Sequence, residues 1–94
     1  MKKIYLLVFS ELVGGAEVVK KWLNSEQKVL VWRTDIANCF YIVSEASANE
    51  LTNSFIRANG KKGRYIITEI TDNRQGLLTD ESWYLLKNKR LKPK

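Results

Sequence analysis

The side chains best suited to chemistry in this chain are cations, and they come without a single histidine. Sixteen of the 94 residues are Lys or Arg, ten are Asp or Glu, and none is His. That removes the usual neutral-pH general base, every Ser-His or Cys-His nucleophile pair, and histidine-ligated zinc. Enzymatic chemistry would have to rest on carboxylates holding a metal, or on Lys, Tyr or Ser. The cations themselves are clustered. Lys87, Lys89, Arg90, Lys92 and Lys94 place five positive charges and no acid in the last eight residues, and Arg57, Lys61, Lys62 and Arg64 place four more in another eight. Residues 1–86 hold eleven cations against ten acids, and the chain outside both clusters is net −3. Local basic patches attract phosphates through counterion release and field focusing. Taken as charge runs alone, the plainer reading is a solvated tail and a solvated turn.

Other reactive types read as structural. Glu69 and Asp72 could pair as carboxylates, but they fit better as a strand-exposed acid and a turn-forming aspartate. Gly14-Gly15 has neither the G-x-G-x-x-G nor the G-x-x-x-x-G-K-[ST] spacing of a phosphate cradle, and reads as a flexible connection. Cys39 opens an apolar run and reads as a small buried side chain. A lone cysteine forms no internal disulfide, which fits a reducing cytoplasm.

The elements that must position these residues follow from the hydrophobic pattern. Ile4 to Phe9 is apolar at every position, too short for a signal peptide or a membrane span, and is expected to form a strand covered on both faces. Leu12, Ala16, Val19, Trp22 and Leu23 trace one face of a helix that ends near Asn24-Ser25, with Gly14-Gly15 delaying its regular start. Lys28–Arg33 and Cys39–Ser44 read as a β-hairpin. Ser47-Ala48-Asn49-Glu50 is a capping box that starts a second helix over about 48–58, with Leu51, Phe55 and Ala58 on one face. Gly60 to Gly63 ends it, and Arg64–Ile70 is a fourth strand. Thr79 caps a last short helix with Asp80 and Glu81 in its first turn, anchored by Leu78, Trp83 and Leu86.

The expected fold is therefore α+β, a ferredoxin-like βαββαβ antiparallel sheet of order 4-1-3-2 with two helices on one face and a short C-terminal helix. Residues 1–86 form a single domain, and 87–94 a basic C-terminal tail. Because the first and third strands are apolar on both sides, the helix-free face must be covered by the C-terminal segment, a second subunit or a ligand. Homodimerisation is the simplest solution.

This layout, with Glu69-Ile70-Thr71-Asp72-Asn73-Arg74-Gln75-Gly76-Leu77-Leu78 followed by Trp83 to Leu86, resembles a group of small bacterial proteins. They are related to the CRISPR-associated spacer-acquisition subunit and, more distantly, to the VapD toxin ribonucleases. The resemblance implies a cytoplasmic ferredoxin-like homodimer whose members contact nucleic acid through basic loops or, in some cases, cleave it. Active members carry an aspartate at the end of the first strand that holds a divalent metal; the matching position here is Ser10. A neutral hydroxyl is a weak ligand for a hard cation. Glu11 next to it points to the opposite side if the strand continues.

An RNA-recognition module shares the element order, and Ile4-Tyr5-Leu6 suits its first motif, but Asn38–Ser44 lacks the second. The expectation is a soluble, cytoplasmic, non-catalytic homodimer that binds DNA or RNA through Arg57, Lys61, Lys62, Arg64, Lys87, Lys89 and Arg90. No metal, cofactor or membrane is implied. The alternatives are a protein-interaction or structural dimer without nucleic acid and, with less support, a metal-dependent nuclease.

Overall fold

The computed structural model describes residues 1–93; Lys94, counted above in the basic tail, lies outside the described residues. The strands are β1 (Lys3–Phe9), β2 (Val29–Arg33), β3 (Cys39–Ser44) and β4 (Tyr65–Glu69), and the helices α1 (Ala16–Ser25), α2 (Ala48–Asn59) and α3 (Asp80–Asn88). The four strands make one antiparallel sheet of order β2-β3-β1-β4. β1 lies inside it, with Tyr5 opposite Ile42 of β3 and Glu69 of β4. In β2 the register shifts between Val29 and Val31, so that Leu30 bulges out.

Alternation along β1 divides the molecule into two cores. Tyr5, Leu7 and Phe9 face α1 and α2 and pack with Phe40, Ile42, Val19, Trp22, Leu23, Leu51 and Phe55. Trp22 meets Phe55 edge-on at 5.1 Å between ring centroids, and Phe9 stacks on Phe40 at 5.7 Å. The two helices are also joined by polar bonds. Trp22 Nε1 donates to Ser54 Oγ (2.9 Å), and Ser54 donates to Glu26 Oε1. That hydroxyl, with the backbone N–H of Lys28, holds the Glu26 carboxyl below its ordinary pKa.

On the other face Ile4, Tyr41 and Val43 pack against Leu85 and Leu86 of α3, with Leu6, Val31, Ile70, Leu78 and Trp83 at the margin. The C-terminal helix thus covers part of the face for which the sequence suggested a second subunit. Towards the far end of β1 and β4 the cover stops, and the cross-strand pair Val8 and Ile66 is 40% and 60% exposed.

Most element boundaries fall within a residue of those expected. The capping box at Ser47 is closed in both directions, with Glu50 N donating to Ser47 Oγ and Ser47 N to Glu50 Oε1, each at 3.1 Å. The main departure follows β1. A single 3-10 turn (Glu11–Val13) intervenes before α1, so Leu12 is not on the helix stripe but 76% exposed, and Val13 fills the core instead. Gly63 is packed against this turn with φ +75°, where a Cβ would lie 2.6 Å from the backbone nitrogen of Val13. Only glycine fits there, and the approach fixes the exit of the basic loop.

Two buried tyrosines differ in how their hydroxyls are satisfied. Tyr5 donates to the carbonyl of Ala46 at 2.6 Å, whereas the Tyr41 hydroxyl has no partner among the described residues. Burial, followed by the nearby Asp35 and Cys39, pushes the Tyr41 pKa up to about 12, against the pull of Arg33. Removing a bonded hydroxyl strands its acceptor, while removing an orphaned one strands nothing. Tyr5→Phe is expected to lower the unfolding free energy by about 1 kcal/mol and Tyr41→Phe to leave it unchanged or raise it. Urea unfolding of the two variants side by side measures the contrast.

Candidate nucleic-acid interface

The cations singled out by sequence do not form one surface. Arg64 sits where β4 begins, beside the end of β1: Ser10 N donates to Arg64 O (2.9 Å) and Arg64 N donates to Ser10 Oγ (3.0 Å). Lys61 and Lys62 are exposed in the loop before it. Lys87 and Lys89 lie at the other end of β4, near Glu69 and Ile70. At about 3.3 Å per residue, the six steps from Arg64 to Ile70 separate the clusters by roughly 20 Å. Within one chain the basic loop and the basic tail stay apart.

Several members of the two clusters also have neighbours of their own. Arg57 lines the groove between α1 and α2 with Glu26, Gln27 and Ser54, and its charge helps to lower the Glu26 pKa. Arg90 places its guanidinium over the Tyr84 ring, 5.7 Å from the centroid. Lys87 belongs to the last turn of α3, where a cation suits the negative end of the helix. Lys89 ends that helix in the left-handed conformation usually given to glycine, with φ +58°.

Two cations outside the basic runs of the sequence join Lys87 and Lys89. Lys3 opens β1, and Arg74 lies in the turn after β4; with Glu69, Asp72 and Leu86 these residues line a cleft of about 340 Å3. That is within the range of roughly 300–1,000 Å3 of small-ligand sites. Four cations face two carboxylates in it. The Arg74 guanidinium is anchored, since Nη1 donates to Thr71 O at 2.9 Å and lies 3.5 Å from Asp72 Oδ1. Asp72, read as a turn former, does accept the backbone N–H of Arg74 on its carbonyl (2.9 Å). Lys3, second of the Lys2-Lys3 pair ahead of the apolar run, and Arg74, two residues after Asp72, fall outside both basic clusters of the sequence, and only the sheet brings them to the end of α3.

The placement of α3 depends on a polar network at its start. Asp35, in the β2–β3 connection, accepts from the Thr79 hydroxyl (3.2 Å) and backbone N–H (3.4 Å), while Thr79 Oγ1 caps the helix by accepting from Ser82 N (3.3 Å). Arg33 Nε donates to the buried Ser82 hydroxyl at 3.1 Å, and its Nη2 lies 3.6 Å from Asp35. The Asp35 side chain is only 12% exposed. Burial by itself would raise its pKa; bonds from Ser82 and Thr79, and then the Arg33 charge, outweigh that and lower it.

Ser10 uses its hydroxyl to hold the start of β4. Among the described residues no group of three or more His, Cys, Asp or Glu side chains is placed to hold a metal ion, and no helix is long and apolar enough to cross a membrane. Comparison with protein-family models, with curated proteins and with solved structures finds no match to the chain.

Because the folded pKa of Asp35 is lowered, the stability it contributes is present above its unfolded value near 4 and is lost as the pH falls through the folded one. Asp35→Ala should cost about 1.5–3 kcal/mol at pH 7. The gap between the variant and the unmodified protein should narrow steadily below pH 4 in urea titrations; a gap independent of pH would mean the carboxylate charge is irrelevant.

Proposed function

We propose that this protein is a non-catalytic, nucleic-acid-binding homodimer of the ferredoxin-like class. The observation that carries the binding role is the convergence of Lys3, Arg74, Lys87 and Lys89, from three separate segments, around one cleft. Such a convergence focuses positive potential where dispersed lysines would not. Lys61, Lys62 and Arg64 form a second binding region at the opposite end of β4.

The ferredoxin-like assignment is supported by the strand order, which read from the β4 edge is β4-β1-β3-β2, and by α1 and α2 lying on the same face. The suggested relation to the CRISPR-associated and VapD-type proteins belongs to the same proposal. The residues that carry it, Trp83, Leu85 and Leu86 among them, are those that dock α3. Support for a dimer comes from the exposed cross-strand pair of Val8 on β1 and Ile66 on the edge strand β4. A second copy also offers a way for a basic loop and a basic cleft to act on one ligand.

Fluorescence anisotropy with mixed DNA and RNA oligomers over a salt series tests the binding role. The triple variant Lys3→Gln, Lys87→Gln, Lys89→Gln should flatten the slope of log K against log salt by about 2.1 to 2.7, at roughly 0.7 to 0.9 for each phosphate no longer neutralised. Lys61→Gln with Lys62→Gln should flatten it by less than about 2, since only two cations are removed. No binding by the unmodified protein at low salt would sink the binding role and leave the protein-interaction dimer. Sedimentation equilibrium checks the dimer: the chain should run at twice its mass and Ile66→Glu as a monomer.

A further inference from the structure

Deepening the proposed binding role, and resting on it, we infer that the cleft takes single-stranded nucleic acid, with one base stacked on Trp83 and the adjoining phosphates on Lys87, Lys3 and Lys89. Trp83 and Lys87 are four residues apart and so share one side of α3, while Leu85 and Leu86 turn into the core. Both line a groove of about 380 Å3 with Asp72, Arg74 and Gln75. Asp72, Arg74 and Lys87 also line the basic cleft, so the two concavities are neighbours that share three residues. Trp83 therefore lies beside Arg74 and Lys87, two of the cations that line the basic cleft.

The three tryptophans are used differently. Trp22 and Trp32 commit their indole N–H groups to Ser54 Oγ and Asn24 Oδ1, each at 2.9 Å. Trp83 donates to no group among the described residues and is only half-buried at the margin of the second core. Its side chain packs against the second core and also lines the groove. Such an indole, next to a cationic track, is the arrangement that binds unpaired bases with little regard to sequence.

A duplex fits this site poorly. Its bases are stacked inside, out of reach of the indole. A flexible single strand can enter the groove, splay one base onto the ring and lay its phosphates along the cations.

The test is fluorescence anisotropy with a ten-nucleotide thymidine oligomer, the same backbone without bases, and a duplex hairpin of equal charge. The thymidine oligomer should bind the unmodified protein about 5- to 150-fold more tightly than the abasic one, the range for stacking one base. Trp83→Leu, which keeps an apolar side chain under α3, should bring thymidine affinity down to the abasic level without changing abasic affinity. Trp83→Phe should fall between. If Trp83→Leu unfolds, Trp83→Phe and the thymidine-to-abasic ratio of the unmodified protein decide the matter. Equal affinity for the thymidine and abasic oligomers, or tighter binding of the hairpin, would overturn stacking and leave the cleft a phosphate site. Failure of all three ligands to bind at low salt would overturn the binding role as well.

Discussion

The structure depends on a central strand that is apolar on both sides. Tyr5, Leu7 and Phe9 need cover on one face of the sheet and Ile4, Leu6 and Val8 on the other, so one layer of helices cannot satisfy β1. Burial of apolar side chains is the main favourable term in folding, at about 25 cal/mol per Å2. In a chain of this size few other interactions can replace it. α1 and α2 meet the first demand. The second recruits the C-terminal segment, and α3 lies where Ile4, Tyr41 and Val43 require it.

That packing decision determines the electrostatics. α3 is pinned at its start by Asp35 and Arg33, from the β2–β3 region, and along its length by Leu85 and Leu86. Its end then falls beside the first residues of β1 and the turn after β4. Lys87 and Lys89, which as sequence look like the beginning of a solvated tail, become one wall of a cleft whose other wall carries Lys3 and Arg74. Within that cleft Asp72 pairs with Arg74 at 3.5 Å. Cover of the second face is incomplete, and Val8 with Ile66 is left at the β4 side.

Much of this is legible in the residues. The capping box at Ser47, the Thr79 cap and the β-branched runs place helices and strands closely, because these signals act over three or four residues and need no distant partner. The helix start after β1 is less legible: Leu12 has helical spacing to Ala16 and Val19, but Gly14 and Gly15 break the backbone and shift burial to Val13. Of α3's anchors, Leu86 is visible by spacing, while Leu85, fully buried, is visible only once β1 is known to need cover on its second face.

Sequence by itself determines the order of the elements, their caps, the two-sided β1 and an uneven charge in which two basic clusters sit on a mildly acidic body. Tertiary structure alone decides which charges act together. It separates the two clusters along the length of β4, places Arg57 in one groove with Glu26 and Arg90 over Tyr84, and joins Lys87 and Lys89 to Lys3 and Arg74. The physical reason is range. Caps and periodicity are local, whereas the distance between a cation at position 3 and one at position 87 depends on how a helix lies across a sheet, and apolar packing sets that without regard to charge.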